Sequence, residues 1–311
     1  MTQKKLIYLY SDSTFTPWKE NIFARTVVHF LESTPENYYP YITHFVGFSE
    51  EFANFLRQFD MVFNVCYGFG DAGQHDIARW LDAHQIPHTA SRYEAQVIAK
   101  DKFTLPEFCN QIGATTPAII PLSEIANFGA KRYIVKPRFG SLHLNMMVFD
   151  ADAIPYQELM ERDDLIIQPY ITGREFTVGV IPNEDASDYM CLQPLEIKPD
   201  DNREIYIAGQ NYGRTEKVLN PLMEESLIQE MQQTVLRLHK ALNLRGMSRT
   251  DVRVHEGIIY ILDINTMPNL DTNSFLPFIA QSQGISLKEL FTRILMRFEK
   301  VYHADNQFEL V

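Results

Sequence analysis

Arg249-Thr250-Asp251-Val252-Arg253-Val254-His255-Glu256-Gly257-Ile258-Ile259-Tyr260-Ile261-Leu262-Asp263-Ile264-Asn265 is the stretch on which the fold and the chemistry both turn. Side chains alternate across a strand, so Arg249, Asp251 and Arg253 share one face of a first strand, and Asp263 and Asn265 share one face of its partner. If Val254 pairs with Ile258 around a three-residue turn containing Gly257, Arg249 faces Asp263 and Asp251 lies diagonal to it. A two-residue turn would move the register by one and send Asp251 to the other face, so the spacing favours the longer turn. Val252, Val254, Ile258 and Leu262 then cover a core behind the hairpin. Two carboxylates, an amide oxygen and flanking guanidinium groups on one face suit Mg²⁺ bridging phosphates. They equally suit a solvated hairpin face with cross-strand ion pairs, and the pattern alone leaves both open.

Outward from the hairpin, the first hundred residues alternate strand-like and helix-like segments: Leu6–Tyr10, Glu20–Leu31, Tyr41–Phe48, Glu50–Phe59, Met61–Cys66 and His75–His84. That rhythm predicts βαβ units around a mainly parallel sheet. The turn Tyr67-Gly68-Phe69-Gly70-Asp71-Ala72-Gly73 follows a strand, at the end of an open sheet where ligands bind. A plain loop with a helix-capping glycine explains it as well. From Phe103 to Val180 the pattern becomes a compact α+β lobe, with strands at Tyr133–Pro137, Asn145–Phe149, Leu165–Ile171 and Glu175–Val180 and a short helix at Tyr156–Glu161. The remainder holds an amphipathic helix, Glu224–Leu242, the hairpin, and a closing helix, Ser286–Phe298. The expected domains are 1–102, 103–180 and 181–311.

A chain of 311 residues predicts about two domains and permits three small ones. With 28 Lys+Arg against 40 Asp+Glu, the net charge of -12 repels nucleic-acid backbones and anionic lipid surfaces, so neither is an expected partner. No apolar run approaches the ~18 residues of a membrane span. The start has a short apolar stretch, Leu6–Tyr10, in place of a secretory signal. Cys66, Cys109 and Cys191 are odd in number and widely spaced, which argues against disulfide frameworks and thiolate metal sites and predicts a reducing cytoplasm.

Taken together, these segments resemble the ATP-grasp carboxylate–amine ligases, and within them the D-alanine–D-alanine ligases. The strongest pieces are Arg249-Thr250-Asp251, Asp263-Ile264-Asn265-Thr266-Met267-Pro268, Ser274-Phe275-Leu276-Pro277 and Gly284 to Leu290. Asp101-Lys102, Lys136-Pro137, Gly140-Ser141, Ile167 to Ile171 and Gly173 to Val178 add weaker ones. The resemblance implies an α/β and α+β architecture: an N-terminal Rossmann-like domain, a mobile central lobe and a C-terminal domain, with ATP gripped between the last two. It implies that Lys102 and Lys136 hold phosphates, Gln168, Pro169, Tyr170 and Ile171 the adenine edge, and Glu175 the ribose. Asp251, Asp263 and Asn265 would hold two Mg²⁺ ions. Arg249 and the backbone around Asn269 would stabilise an oxyanion, Ser141 and Tyr212 would join them at the catalytic centre, and Ser274 with Phe275 would place the second substrate's carboxylate. Small amino acids are the implied substrates, a homodimer the implied assembly, and the implied reaction joins a carboxylate to an amine through an acylphosphate.

The departures from the family pattern concentrate on the first substrate. The lid Gly140-Ser141-Leu142-His143-Leu144 keeps one glycine and one serine, Asn211 stands where a phosphate-binding lysine is usual, Asp263 replaces a longer glutamate, and Asn269 replaces a glycine. Trp18-Lys19-Glu20-Asn21 leaves Glu20 as the candidate for the first substrate's ammonium, and Tyr67-Gly68 stands where His-Gly is expected. Retained ATP chemistry with a changed first substrate is the expectation. The alternative is an ATP-binding regulatory or assembly protein with weakened turnover, against which the retention of Arg249 beside the metal residues argues.

Overall fold

A computed structural model describes residues 3–11, 26, 28–139, 146–199 and 215–308. β1 (Lys4–Tyr10), β2 (Tyr38–His44) and β3 (Met61–Asn64) form a parallel sheet in the order β2-β1-β3. The second strand was expected over 41–48. It starts and ends earlier because it pairs with β1 from Lys4↔Tyr38 to Tyr10↔His44 and stops where its partner stops. Ile7, Leu9 and Val62 pack against the helices Glu50–Leu56 and Gln74–Ala83. Leu6, Tyr8 and Phe63 face Phe291, Ile294 and Phe298 of the C-terminal helix Leu287–Phe308. That helix runs ten residues past the expected Phe298, and Tyr302 gives the reason: its hydroxyl accepts from His88 N at 3.0 Å and donates to His88 O at 3.2 Å. The Tyr67–Gly73 turn contains a minimal hairpin of β4 (Gly68–Phe69) and β5 (Ala72–Gly73). Gly73 then caps the helix Gln74–Ala83, with Gly73 N donating to Asp76 Oδ2 at 2.9 Å.

The central lobe is an antiparallel sheet in the order β7-β6-β8, made of β6 (Arg132–Pro137), β7 (Met147–Asp150) and β8 (Leu165–Pro169). Tyr133, Val135 and Ile167 close its core with Leu159 of the helix Tyr156–Met160. The third sheet holds β9 (Arg174–Pro182), β10 (Tyr189–Cys191), β11 (Leu195–Pro199), β12 (Thr215–Val218), β13 (Ser248–His255) and β14 (Ile258–Asn265). Its order is β12-β11-β9-β13-β14, with β10 also on β9. β9 crosses the expected division at residue 180 and pairs throughout with this sheet. The helices Tyr93–Lys100, Leu105–Gln111 and Glu225–Ala241 cover one side of it, burying Ala99, Leu105 and Val235 against Phe176, Val178 and Ile261.

The hairpin differs from expectation in register, and the difference is local and physical. His255 pairs with Ile258 across a two-residue turn, Glu256-Gly257, whose φ values of 49° and 79° are both positive, as a type I′ turn requires. Such a turn alone would separate the polar sets. A β-bulge intervenes between the pairs Val252↔Ile261 and Asp251↔Asp263, leaving Leu262 as the extra residue. The bulge rephases β14, so Asp251 lies directly opposite Asp263, not diagonal to it, and Arg249 opposes Asn265 rather than Asp263. The apolar side is accordingly Val252, Val254, Ile259, Ile261 and Ile264, while Ile258, expected in the core, is exposed.

Candidate functional site

Asp251 sits on β13, between β9 and β14, and is buried. Its Oδ1 accepts from Thr177 Oγ1 at 2.6 Å, and its two oxygens accept from Arg249 Nε at 3.2 Å and Nη2 at 3.0 Å. A two-pronged carboxylate contact fixes the guanidinium plane as well as its position. Arg249 Cζ lies over the Phe275 ring, 5.4 Å from its centre. Ser274, the N-cap of the helix Phe275–Ser282, donates its backbone N–H to Asp271 O at 2.8 Å. Asn269 Oδ1 accepts from Asp271 N at 2.8 Å, and Asn265 Oδ1 accepts from Met267 N at 3.0 Å. Both asparagines thus order the loop that follows β14 through short local turns. The expected oxyanion, metal and second-substrate residues lie along this one edge.

Lys136 approaches from the lobe sheet. Its ammonium is pushed down to about 8 by burial, reinforced by the neighbouring Lys102 and Arg253 and opposed by Asp263 and Glu175. Lys100, the last residue of its helix, is also lowered by burial, with Asp263 opposing. Lys102 N donates to Arg138 O at 3.3 Å, and Asp101 beside it binds the Arg138 guanidinium through both oxygens at 2.7 and 2.6 Å. Lys136, from a sheet that does not pair with the hairpin sheet, and Lys100, from the end of a helix, thus cluster with Lys102 within electrostatic reach of the Asp263 carboxylate. The charge of bound phosphates would complete such a cluster.

The expected nucleotide segment lies where β8 leads into β9. Tyr170 N donates to Arg132 O at 2.9 Å, and the Arg132 guanidinium lies 4.8 Å from the Tyr170 ring centre. Gln168 is buried and its Nε2 donates to Pro117 O at 2.9 Å, so its side chain braces the lobe. Pro169 ends β8 opposite Tyr133. Ile171 O accepts from Arg253 Nη1 at 3.0 Å, and Glu175 is ion-paired with Arg253 Nη2. The turn can press on the hairpin only because residue 173 is glycine: its φ is 118°, and a Cβ there would lie 2.1 Å from Val254 O.

Several residues that complete this arrangement carry no sequence signal of their own. Thr177 and Lys100 read as ordinary strand and helix positions. Gln74 is a further case, with its buried Nε2 donating to Gln96 Oε1 at 2.9 Å and to Thr266 Oγ1 at 2.7 Å. It ties two helices to the loop after Asn265. On the N-terminal side, Tyr67 is exposed and lies within electrostatic reach of Arg249. Glu20, Ser141, Asn211 and Tyr212 lie outside the described residues.

As a metal site, two opposed carboxylates and an amide oxygen form a hard-oxygen donor set of the kind Mg²⁺ takes while keeping several waters. Asp251 spends part of its accepting capacity on Arg249 and Thr177, yet two carboxylate oxygens offer about four acceptor directions. The residues fit the ion. No group of three or more His, Cys, Asp or Glu suited to a metal occurs among the described residues, so a metal here leans on the Asn265 amide and on its own ligands. No described helix is long and apolar enough to cross a membrane.

A family model for the C-terminus of the D-Ala–D-Ala ligases matches residues 151–296. The D-alanine–D-alanine ligase of Thermotoga petrophila is 32% identical over 252 residues, covering 77% of this chain and 80% of that one. That of Fervidobacterium nodosum is 30% identical over 264 residues, covering 77% and 82%. Among solved structures, the D-alanine–D-alanine ligase of Bacillus anthracis complexed with ATP superposes with a TM-score of 0.78 at 18% identity, over 97% of this chain and 99% of that one. The VanG D-Ala:D-Ser ligase of Enterococcus faecalis gives 0.76 at 16% identity, over 96% and 100%. By relatedness along three quarters of its length and by fold along nearly all of it, the chain belongs to the D-alanine–D-alanine ligase family of ATP-grasp enzymes.

Proposed function

We propose that this enzyme uses ATP and Mg²⁺ to join the carboxylate of one small amino acid to the amine of another through an acylphosphate, and that its first substrate differs from D-alanine. The observation that carries the site assignment is that Lys136, from the lobe sheet, lies within electrostatic reach of Asp263, which stands directly opposite Asp251 on the hairpin. The two sheets do not pair with each other, so the two groups come from separate parts of the fold. In the proposed reaction a carboxylate oxygen of the first substrate attacks the terminal phosphorus and ADP leaves. The second substrate's amine nitrogen, having lost a proton, attacks the acyl carbon and phosphate leaves.

Lys102 and Lys136 hold the phosphates by charge, and the backbone from Gln168 to Ile171 with Glu175 holds the nucleoside. Asp251, Asp263 and Asn265 would hold two Mg²⁺ ions, which neutralise phosphate charge when bound. Asp251 grips one edge of Arg249 and thereby aims the guanidinium at the oxyanion that forms on the acyl carbon, together with the backbone near Asn269. Ser274 and Phe275 place the second carboxylate, and the family resemblance gives Ser141 and Tyr212 catalytic roles beside them. Closure of the central lobe over the hairpin holds the reactants in register and excludes water.

The relatives named above are D-alanine–D-alanine ligases, and the departure at Tyr67, beside Arg249, motivates the altered first substrate. The test is ADP release with Mg-ATP across D- and L-amino acids offered singly and in pairs. The proposal expects turnover with amino-acid pairs and a best pair other than D-alanine with D-alanine. If D-alanine with itself has the highest kcat/KM, the altered pocket is wrong and the plain family reaction is right.

A further inference from the structure

One arginine touches three of the residues expected to hold the nucleoside. Arg253 is buried on β13, opposite Glu175 on β9. Its Nη2 is ion-paired with Glu175 Oε2, its Nη1 donates to Ile171 O at 3.0 Å, and its Cζ lies 5.6 Å from the Tyr170 ring centre. Its Nε is buried and has no acceptor among the described residues. A purely structural ion pair has no use for that arrangement, since a buried N–H without an acceptor is costly unless a bound molecule supplies one.

We propose that Arg253 is a specificity-determining residue of the nucleotide site: it holds the Glu175 carboxylate and the Ile171 carbonyl in place so that the pocket selects a ribonucleotide over its 2′-deoxy form. The inference rests on the reading that residues 168–175 hold the nucleoside. A carboxylate recognises a ribose through hydrogen bonds accepted from its hydroxyls. Arg253 engages one Glu175 oxygen and so fixes the direction of the other. Without that restraint the glutamate can swing to water, and the hydroxyl loses its acceptor. Because Arg253 also grips the Ile171 carbonyl, base edge and sugar acceptor are held by the same rigid guanidinium.

Calorimetric binding of ATP and 2′-deoxy-ATP to the full chain tests this, with Arg253→Met and Arg253→Lys beside the wild type and thermal unfolding recorded for each. The wild type should prefer ATP by about 10- to 100-fold, the scale of one hydrogen bond to a charged group. Arg253→Met should bring the preference close to one. Arg253→Lys, which keeps the charge but loses the fork, should fall between. A lowered unfolding temperature with an unchanged preference in Arg253→Met would make the pair merely structural and overturn the proposal. If Arg253→Met does not fold, an unchanged preference in Arg253→Lys overturns it. A wild type that binds both nucleotides equally refutes this inference alone, whereas one that binds neither refutes the nucleotide site as well.

Discussion

Raising the pH above 8 should weaken Mg-ATP binding through Lys136. Burial and neighbouring cations hold this ammonium at about 8, against an ordinary value of 10.5. A polyphosphate beside it favours the charged form, so its value rises on binding and the complex takes up a proton. The sign follows. Below about 8 the lysine is charged in both states and its contribution is fully present; as pH climbs through 8 the free protein loses the proton while the complex keeps it. Affinity should fall by up to about tenfold per pH unit until the bound lysine also titrates, with a ceiling on the order of 3 kcal/mol, since one unit corresponds to about 1.4 kcal/mol. Calorimetry at pH 7.5, 8.5 and 9.5, in buffers of different ionisation enthalpy, reads both the affinity and the proton uptake. Arg stays charged throughout this range, so Lys136→Arg should bind with a markedly flatter pH profile and less proton uptake. An identical slope in Lys136→Arg and wild type would refute the placement of Lys136 at the phosphates.

Asp251→Asn and Asp263→Asn should each raise the Mg²⁺ concentration needed for turnover or abolish activity while leaving the fold intact by circular dichroism; full activity in both would refute the metal assignment. Thr177→Val, which removes one hydrogen bond to Asp251, is the milder control and should destabilise the protein by on the order of 1–3 kcal/mol in urea unfolding. Arg249→Ala should cost about 10²-fold or more in kcat with a much smaller change in ATP affinity, and equal losses in both would recast it as a phosphate clamp. Thr266→Val should raise the Mg²⁺ requirement by loosening Asn265's loop, whereas Thr266→Ser should restore it; indistinguishable metal titrations would leave the Gln74 network without a role at the site.

How far these features were legible in the sequence follows from the range of the interactions that set them. Strand alternation was enough to place Arg249, Asp251 and Arg253 on one face, because that periodicity is a property of the single strand. The register was not legible. Its two determinants are the positive φ of Glu256, a residue with no glycine- or asparagine-like signal for it, and a bulge at Leu262, an ordinary strand residue. Reading the turn as longer and the strand as regular made two errors that nearly cancelled, so the carboxylates still shared a face. The βαβ rhythm of the first hundred residues was visible in local apolar spacing. The membership of β9 in the third sheet was not, since it depends on pairing with β13 some seventy residues later. Lys100, Thr177 and Gln74 join the site through interactions across 22 to 192 residues, as Gln74 with Gln96 and with Thr266 shows, and no local pattern marks them; for Arg253 the face was legible, but not its distant partners Ile171 and Glu175.

If ATP cleavage in this enzyme serves the joining of two amino acids, the two products must form in fixed proportion. With Mg-ATP and the most active amino-acid pair, ADP and condensed dipeptide, the latter measured by mass spectrometry, should accumulate one to one, and neither should accumulate without Mg²⁺. ADP released with no condensed product, or no ATP consumption with any pair offered, would contradict the account.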